Sequence, residues 1–160
     1  MSRRVLLAGA SIAAIMGSAL AAGVHTPAPL LFPYGHPGPG NGAEQVIRVR
    51  ALDTLRFQPA RITVRRGETV KFVITNAGKL AHEFVIGDAA VQAAHEREMQ
   101  AMPGMPMRAD VNAVSLPPGE TRDLVWTFTR DGRVEYACHV PGHFTAGMRG
   151  QIIIESSAHR

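Results

Sequence analysis

The side chains best suited to chemistry lie close together near the C-terminus. Cys138, His143 and Met148 are spaced C-x4-H-x4-M, and Cys138 is the single cysteine of the chain. An extended stretch from Gly132 to Ala137 runs into this segment, and another from Gly150 to Glu155 runs out of it. A thiolate, an imidazole and a thioether therefore share one loop between two strands. Donors this soft favour copper, and two imidazoles, one thiolate and a weak thioether make up the blue-copper electron-transfer site. The loop is one imidazole short. The best candidate for it is His82, in the segment Lys79-Leu80-Ala81-His82-Glu83-Phe84. His139 competes with His143 by proximity to Cys138, but strand alternation points it to the opposite side.

These residues carry a resemblance. The chain resembles the cupredoxins, the single-domain type I copper proteins, over roughly residues 44 to 156. The spacing of its ligand loop is similar to that of the rusticyanin and auracyanin members. The resemblance implies a first histidine at a strand start well before the cysteine, a place that His82 fits. It implies one type I copper held by His82, Cys138, His143 and Met148. One position departs from the pattern. Many such proteins follow the first histidine with an asparagine that steadies the loop, and here the residue is Glu83. Pro141-Gly142 predicts a tight, stiff bend ahead of His143.

Residues 1–21 read as an export leader. Arg3 and Arg4 open it, an apolar run follows from Val5 to Met16, and Ala19-Leu20-Ala21 fits a small-x-small cleavage site. The apolar run is short for a membrane span. Ser2-Arg3-Arg4-Val5-Leu6-Leu7 also resembles a twin-arginine signal, so either export route is open. The expected location is the periplasm, with no membrane span in the mature form, which is expected to be a monomer. A lone cysteine in an exported chain has no internal disulfide partner, and metal ligation explains its survival as a thiol better than burial does. Residues 22–43 are rich in Pro and Gly and are expected to form an extended or mobile arm. His25 and His36 within it are read as ordinary surface histidines.

The domain proper is expected over 44–160. The chain is 46% hydrophobic and 19% charged with a formal charge of +4. Its arginines are dispersed, with no basic stripe or zinc-finger spacing, which argues against a nucleic-acid partner. Short strands are predicted at Val46–Arg50, Ile62–Arg65, Thr69–Thr75, His82–Ile86, Asp110–Leu116, Thr121–Phe128, Arg133–Cys138 and Gln151–Ile154, with Leu55–Pro59 as a turn or edge. Leu124, Trp126 and Phe128 alternate onto one face. The pattern predicts an all-β fold, a Greek-key antiparallel β-sandwich with one short helical Met-rich insertion at 88–109.

Within that insertion Ala89 to Met102 reads as helix, ended by Pro103-Gly104. His95, Met99 and Met102 fall on one helix face, and Met105 and Met107 follow the break. Methionines fill core gaps readily, and thioether clusters also suit Cu(I). His95, Met99, Met102, Met105 and Met107 are therefore a candidate second Cu(I) site, with packing or a partner surface as the alternative. Some cupredoxin-like proteins linked to copper tolerance carry similar insertions. Two functions follow as expectations: redox-active copper handling with a copper-handling partner, or one-electron transfer between respiratory partners. A hydrolase built on Cys138 and His143 ranks below both, because it leaves His82 and Met148 unused.

Overall fold

The computed structural model describes residues 32–102 and 110–157. The leader, the arm up to residue 31, Met105 and Met107 lie outside the described residues. Among the described residues, ten strands form two facing sheets. The first sheet joins β1 (Gly35–Pro37), β8 (Thr121–Phe128), β5 (Thr69–Asn76), β2 (Gln45–Leu52) and β3 (Arg56–Gln58), in that order. The second joins β4 (Arg61–Arg65), β10 (Arg149–Glu155), β9 (Gly132–Ala137), β6 (His82–Gly87) and β7 (Ala113–Leu116). Pairing is mostly antiparallel, as the sequence pattern predicts. Each sheet also contains one parallel pair, β2 with β5 and β4 with β10. Short-range alternation cannot distinguish parallel from antiparallel neighbours, because both use a period of two.

The core fills the gap between the sheets. Phe72, Phe84, Phe128, Tyr136 and Ile152 are fully buried. Leu124, Trp126 and Phe128 all point inward from β8. The last part of the Pro/Gly-rich stretch is docked on the sheet. β1 pairs with β8, Phe32 and Tyr34 lie against Trp126, and the Tyr34 hydroxyl donates to the Ile86 carbonyl at 3.0 Å. Gly35 makes the pairing possible, since a Cβ there would collide with the Thr127 carbonyl and the Trp126 ring.

One strand departs from alternation, and that departure builds the site. Every residue of β6 is buried. A strand reads this way when both of its faces are covered. His82, Phe84 and Ile86 face the core on one side. Glu83 and Val85 face the other side, beneath helix α1 (Ala89–Ala101). Asp88 caps the helix, its side chain accepting the Val91 N–H at 2.9 Å. The segment 110–112, predicted as strand, precedes β7 without joining it.

Candidate metal centre

Cys138 follows directly on the end of β9, and Met148 directly precedes β10. The loop between them is tied across its base by the Cys138 N–H to the Met148 carbonyl (3.1 Å) and the Met148 N–H to the His143 carbonyl (3.0 Å). Two further turns, His143 N–H to Val140 and Ala146 N–H to Gly142, wind the segment between. These bonds fix the spacing of the loop donors through the main chain.

The fold brings His82 to this loop across 61 residues. His82 Nδ1 lies 3.3 Å from His143 Nδ1, and Cys138 Sγ lies 3.3 Å from the same nitrogen. The three donor atoms all fall within 4.8 Å of one another. Two imidazole nitrogens bound to one ion at about 2.0–2.1 Å in roughly tetrahedral geometry would be separated by about 3.4 Å. The donor set therefore fits a single metal ion. Met148 is fully buried beside them in sequence and main-chain bonding.

Burial sets the protonation of the donors. It pushes the Cys138 thiol up to about 12, opposed by the backbone N–H groups of Glu83 and Val140, which bond the sulfur. Burial also pulls the His143 pKa down, and the neighbouring His82 adds to this. A neutral imidazole keeps a lone pair for a metal. The far side of the His82 ring is also engaged, with Nε2 3.3 Å from Asp53 Oδ1. The Asp53 carboxyl is held below its usual range, chiefly by the N–H groups of Lys79 and Leu80. His82 is 1% exposed and His143 9%, so His143 is the ring nearer to solvent.

His139 does not enter the cluster. Strand alternation turns it to the outer face of the second sheet, under α1. There Nε2 is 2.6 Å from Gln92 Oε1 and Nδ1 is 2.7 Å from Glu96 Oε2. Gln92 also donates to the carbonyls of Val85 and Glu135. Burial lowers the His139 pKa, and Glu96 opposes this. Phe144 stacks on the ring at 4.5 Å between centroids, joining this network to the ligand loop.

Glu83 occupies the position directly after His82, the one departure from the resembled pattern. Its Oε1 accepts the N–H of His139 at 2.6 Å, so it holds the residue after Cys138 by accepting a hydrogen bond. His95 Nε2 lies 3.4 Å from the same oxygen, and its contact with Glu83 raises the His95 pKa, with burial opposing. His95 thus points into the polar layer beneath the helix, while Met102 is exposed at the helix end. Among the described residues, His95 is not brought to the cluster of His82, Cys138 and His143.

Residues 43–155 match the model of the copper-binding proteins of the plastocyanin/azurin family. The chain belongs to this family. Copper is the ion this family binds, and His82, Cys138 and His143 form a candidate site for it. The chain is also 51% identical over 122 residues to a copper-resistant cuproprotein CopI of Rubrivivax gelatinosus, covering 76% of this chain and 73% of that protein. A CopI of Pseudomonas aeruginosa is 37% identical over 150 residues, covering 76% and 82%. Among solved structures, reduced auracyanin from Roseiflexus castenholzii aligns with a TM-score of 0.61 at 26% identity. That alignment covers 71% of this chain and 98% of the auracyanin.

The sequence singles out Glu83, His95 and His139 one by one but gives neither Asp53 nor the layer that these three form with Gln92 and Glu96. A signal for the layer exists in retrospect. Gln92, His95, Glu96 and Met99 fall at i, i+3, i+4 and i+7, one helical stripe. Asp53 left no local signal.

Proposed function

We propose that this chain is a redox-active type I copper protein of the periplasm that serves copper tolerance. The convergence of His82 Nδ1, His143 Nδ1 and Cys138 Sγ within 4.8 Å carries this reading. Met148 is the weak fourth ligand. Bound copper supplies one-electron chemistry between Cu(II) and Cu(I). The protein's own residues do the rest. Cys138 surrenders its proton and is then stabilised by the two backbone N–H groups. The His82 and His143 rings present lone pairs from positions fixed by hydrogen bonds. The buried setting of the donors excludes water, and the main-chain ties across the loop keep the donors in place in both oxidation states. The tolerance role is supported by relatives that are named as copper-resistant and are up to 51% identical. The leader-like residues 1–21 support export.

The second reading is a one-electron carrier between respiratory partners. It is favoured by the likeness to auracyanin and by the His143 edge, which sits among the exposed Pro141, Gly142, Thr145 and Ala146. A copper-handling protein as partner goes with the first reading, a redox partner with the second. A thioether site for Cu(I) at Met99, Met102, Met105 and Met107, with His95, also belongs to the first reading.

The test is spectroscopic. The Cu(II) form should show a strong visible thiolate-to-copper band, and Cys138→Ser should abolish it. A colourless wild-type protein with copper verified by metal analysis would count against the assignment.

A further inference from the structure

The turn between β2 and β3 reaches both halves of the copper centre. Its Asp53 carboxylate accepts the N–H groups of Lys79 (2.7 Å) and Leu80 (3.1 Å), which lead into His82. The same carboxylate faces His82 Nε2 at 3.3 Å, 29 residues away in sequence. Three residues further on, Arg56 donates to the Ala146 carbonyl at 3.0 Å on the ligand loop. The fold reserves space for the carboxylate. A side chain at Gly78 would collide with it. Asn76 holds the 76–80 loop against it, donating to the carbonyls of Leu80 and Leu116 at 2.8 Å each and accepting the Gly78 N–H at 2.9 Å.

The geometry has a chemical consequence. Imidazole carries its lone pair on one nitrogen when the other bears the proton. A carboxylate at Nε2 holds the proton there and leaves the Nδ1 lone pair directed at His143 and Cys138. A carboxylate behind a metal-bound histidine also raises its basicity, and such partners affect metal affinity 10–100-fold in typical cases. A negative charge close to the centre favours the more highly charged ion. Asp53 is 38% exposed, so solvent moderates the charge effect without removing the hydrogen bond.

We propose that Asp53 is a positioning residue of the copper centre, fixing the His82 tautomer and biasing the site towards Cu(II). This rests on the type I copper reading. The experiment uses the full chain as wild type, Asp53→Asn and Asp53→Ala. In the metal-free protein, ring nitrogen NMR should show His82 protonated at Nε2 in wild type and D53N, and this pattern should be lost in D53A. In the copper-loaded protein, D53A should lose roughly 10-fold or more in Cu(II) affinity and less in Cu(I) affinity. A tenfold differential reads as a rise of about 59 mV in the one-electron potential. D53N keeps one acceptor oxygen for the Leu80 N–H and His82 but loses the charge and the acceptor for the Lys79 N–H, so it should show a smaller rise together with some loss of thermal stability. An unchanged potential in both variants overturns the proposal. So does an equal loss for both oxidation states in D53A, which is the signature of a merely structural staple. A wild-type protein that binds no copper refutes the type I reading instead, so the two failures are distinguishable.

Discussion

Adding copper to the metal-free protein at pH 8 should release one proton per copper, and that proton should come from Cys138. Burial pushes this thiol up to about 12. Only about one part in ten thousand is then thiolate at pH 8, and four units at about 1.36 kcal/mol each place the ionised form roughly 5 kcal/mol uphill. Copper must supply that energy, because the thiolate and not the thiol is the ligand. His143 contributes no proton, since its lowered pKa leaves the ring neutral at this pH. The sign follows. Copper binds the thiolate, so above the range in which the imidazoles take up protons apparent affinity should strengthen about tenfold per pH unit up to the thiol pKa. Calorimetry in buffers of different ionisation enthalpy counts the protons directly, and Cys138→Ser should remove the thiol's proton from the count. A count of zero in wild type would refute the reasoning. It would mean that the thiolate exists before copper arrives, as in a reactive cysteine beside a histidine, and would favour the nucleophile reading of Cys138 and His143.

Three further outcomes are expected. Replacing Met99, Met102, Met105 and Met107 together by Leu keeps most of the apolar volume and deletes the sulfurs. Loss of a second Cu(I) with the visible band intact would support thioether capture, whereas one Cu(I) in both forms with equal affinity would leave these methionines as packing. Gln92→Leu removes donors to the Val85 and Glu135 carbonyls and the acceptor for His139, all in a buried layer. At about 1–3 kcal/mol per buried group left unsatisfied, the three groups should together cost roughly 3–9 kcal/mol, a fall of at least about 6 °C in Tm by thermal scanning; a change within 2 °C of zero, on the order of 0.5 kcal/mol, would show that the layer does not hold the helix. Mass measurement of the exported protein should find a chain beginning near Ala22, and retention of residues 1–21 would rule out the cleaved leader.

Much of the site's chemistry was written locally. The spacing of Cys138, His143 and Met148 lies within eleven consecutive residues, and a loop between two strands keeps such donors together whatever the rest of the chain does. The inward face of β8 was equally legible, because alternation is a property of the strand itself. The tertiary structure decided what those donors meet. His82 was an expectation from the strand start and the family resemblance, and only the packing of β6 beside β9 brings its Nδ1 to His143. Asp53 joins it from another sheet through a turn with no distinguishing pattern. The helix shows the limit most clearly. Its inward stripe is Gln92, His95 and Glu96, polar residues that a search for apolar periodicity assigns to solvent. Gln92 is buried, and His95 and Glu96 are half-buried, because Glu83 and His139 wait on the outer face of the second sheet. Whether a polar side chain turns inward depends on a partner supplied by distant sequence, since an unpaired one is costly to bury. That information resides in the pairing of distant elements and not in any single one of them.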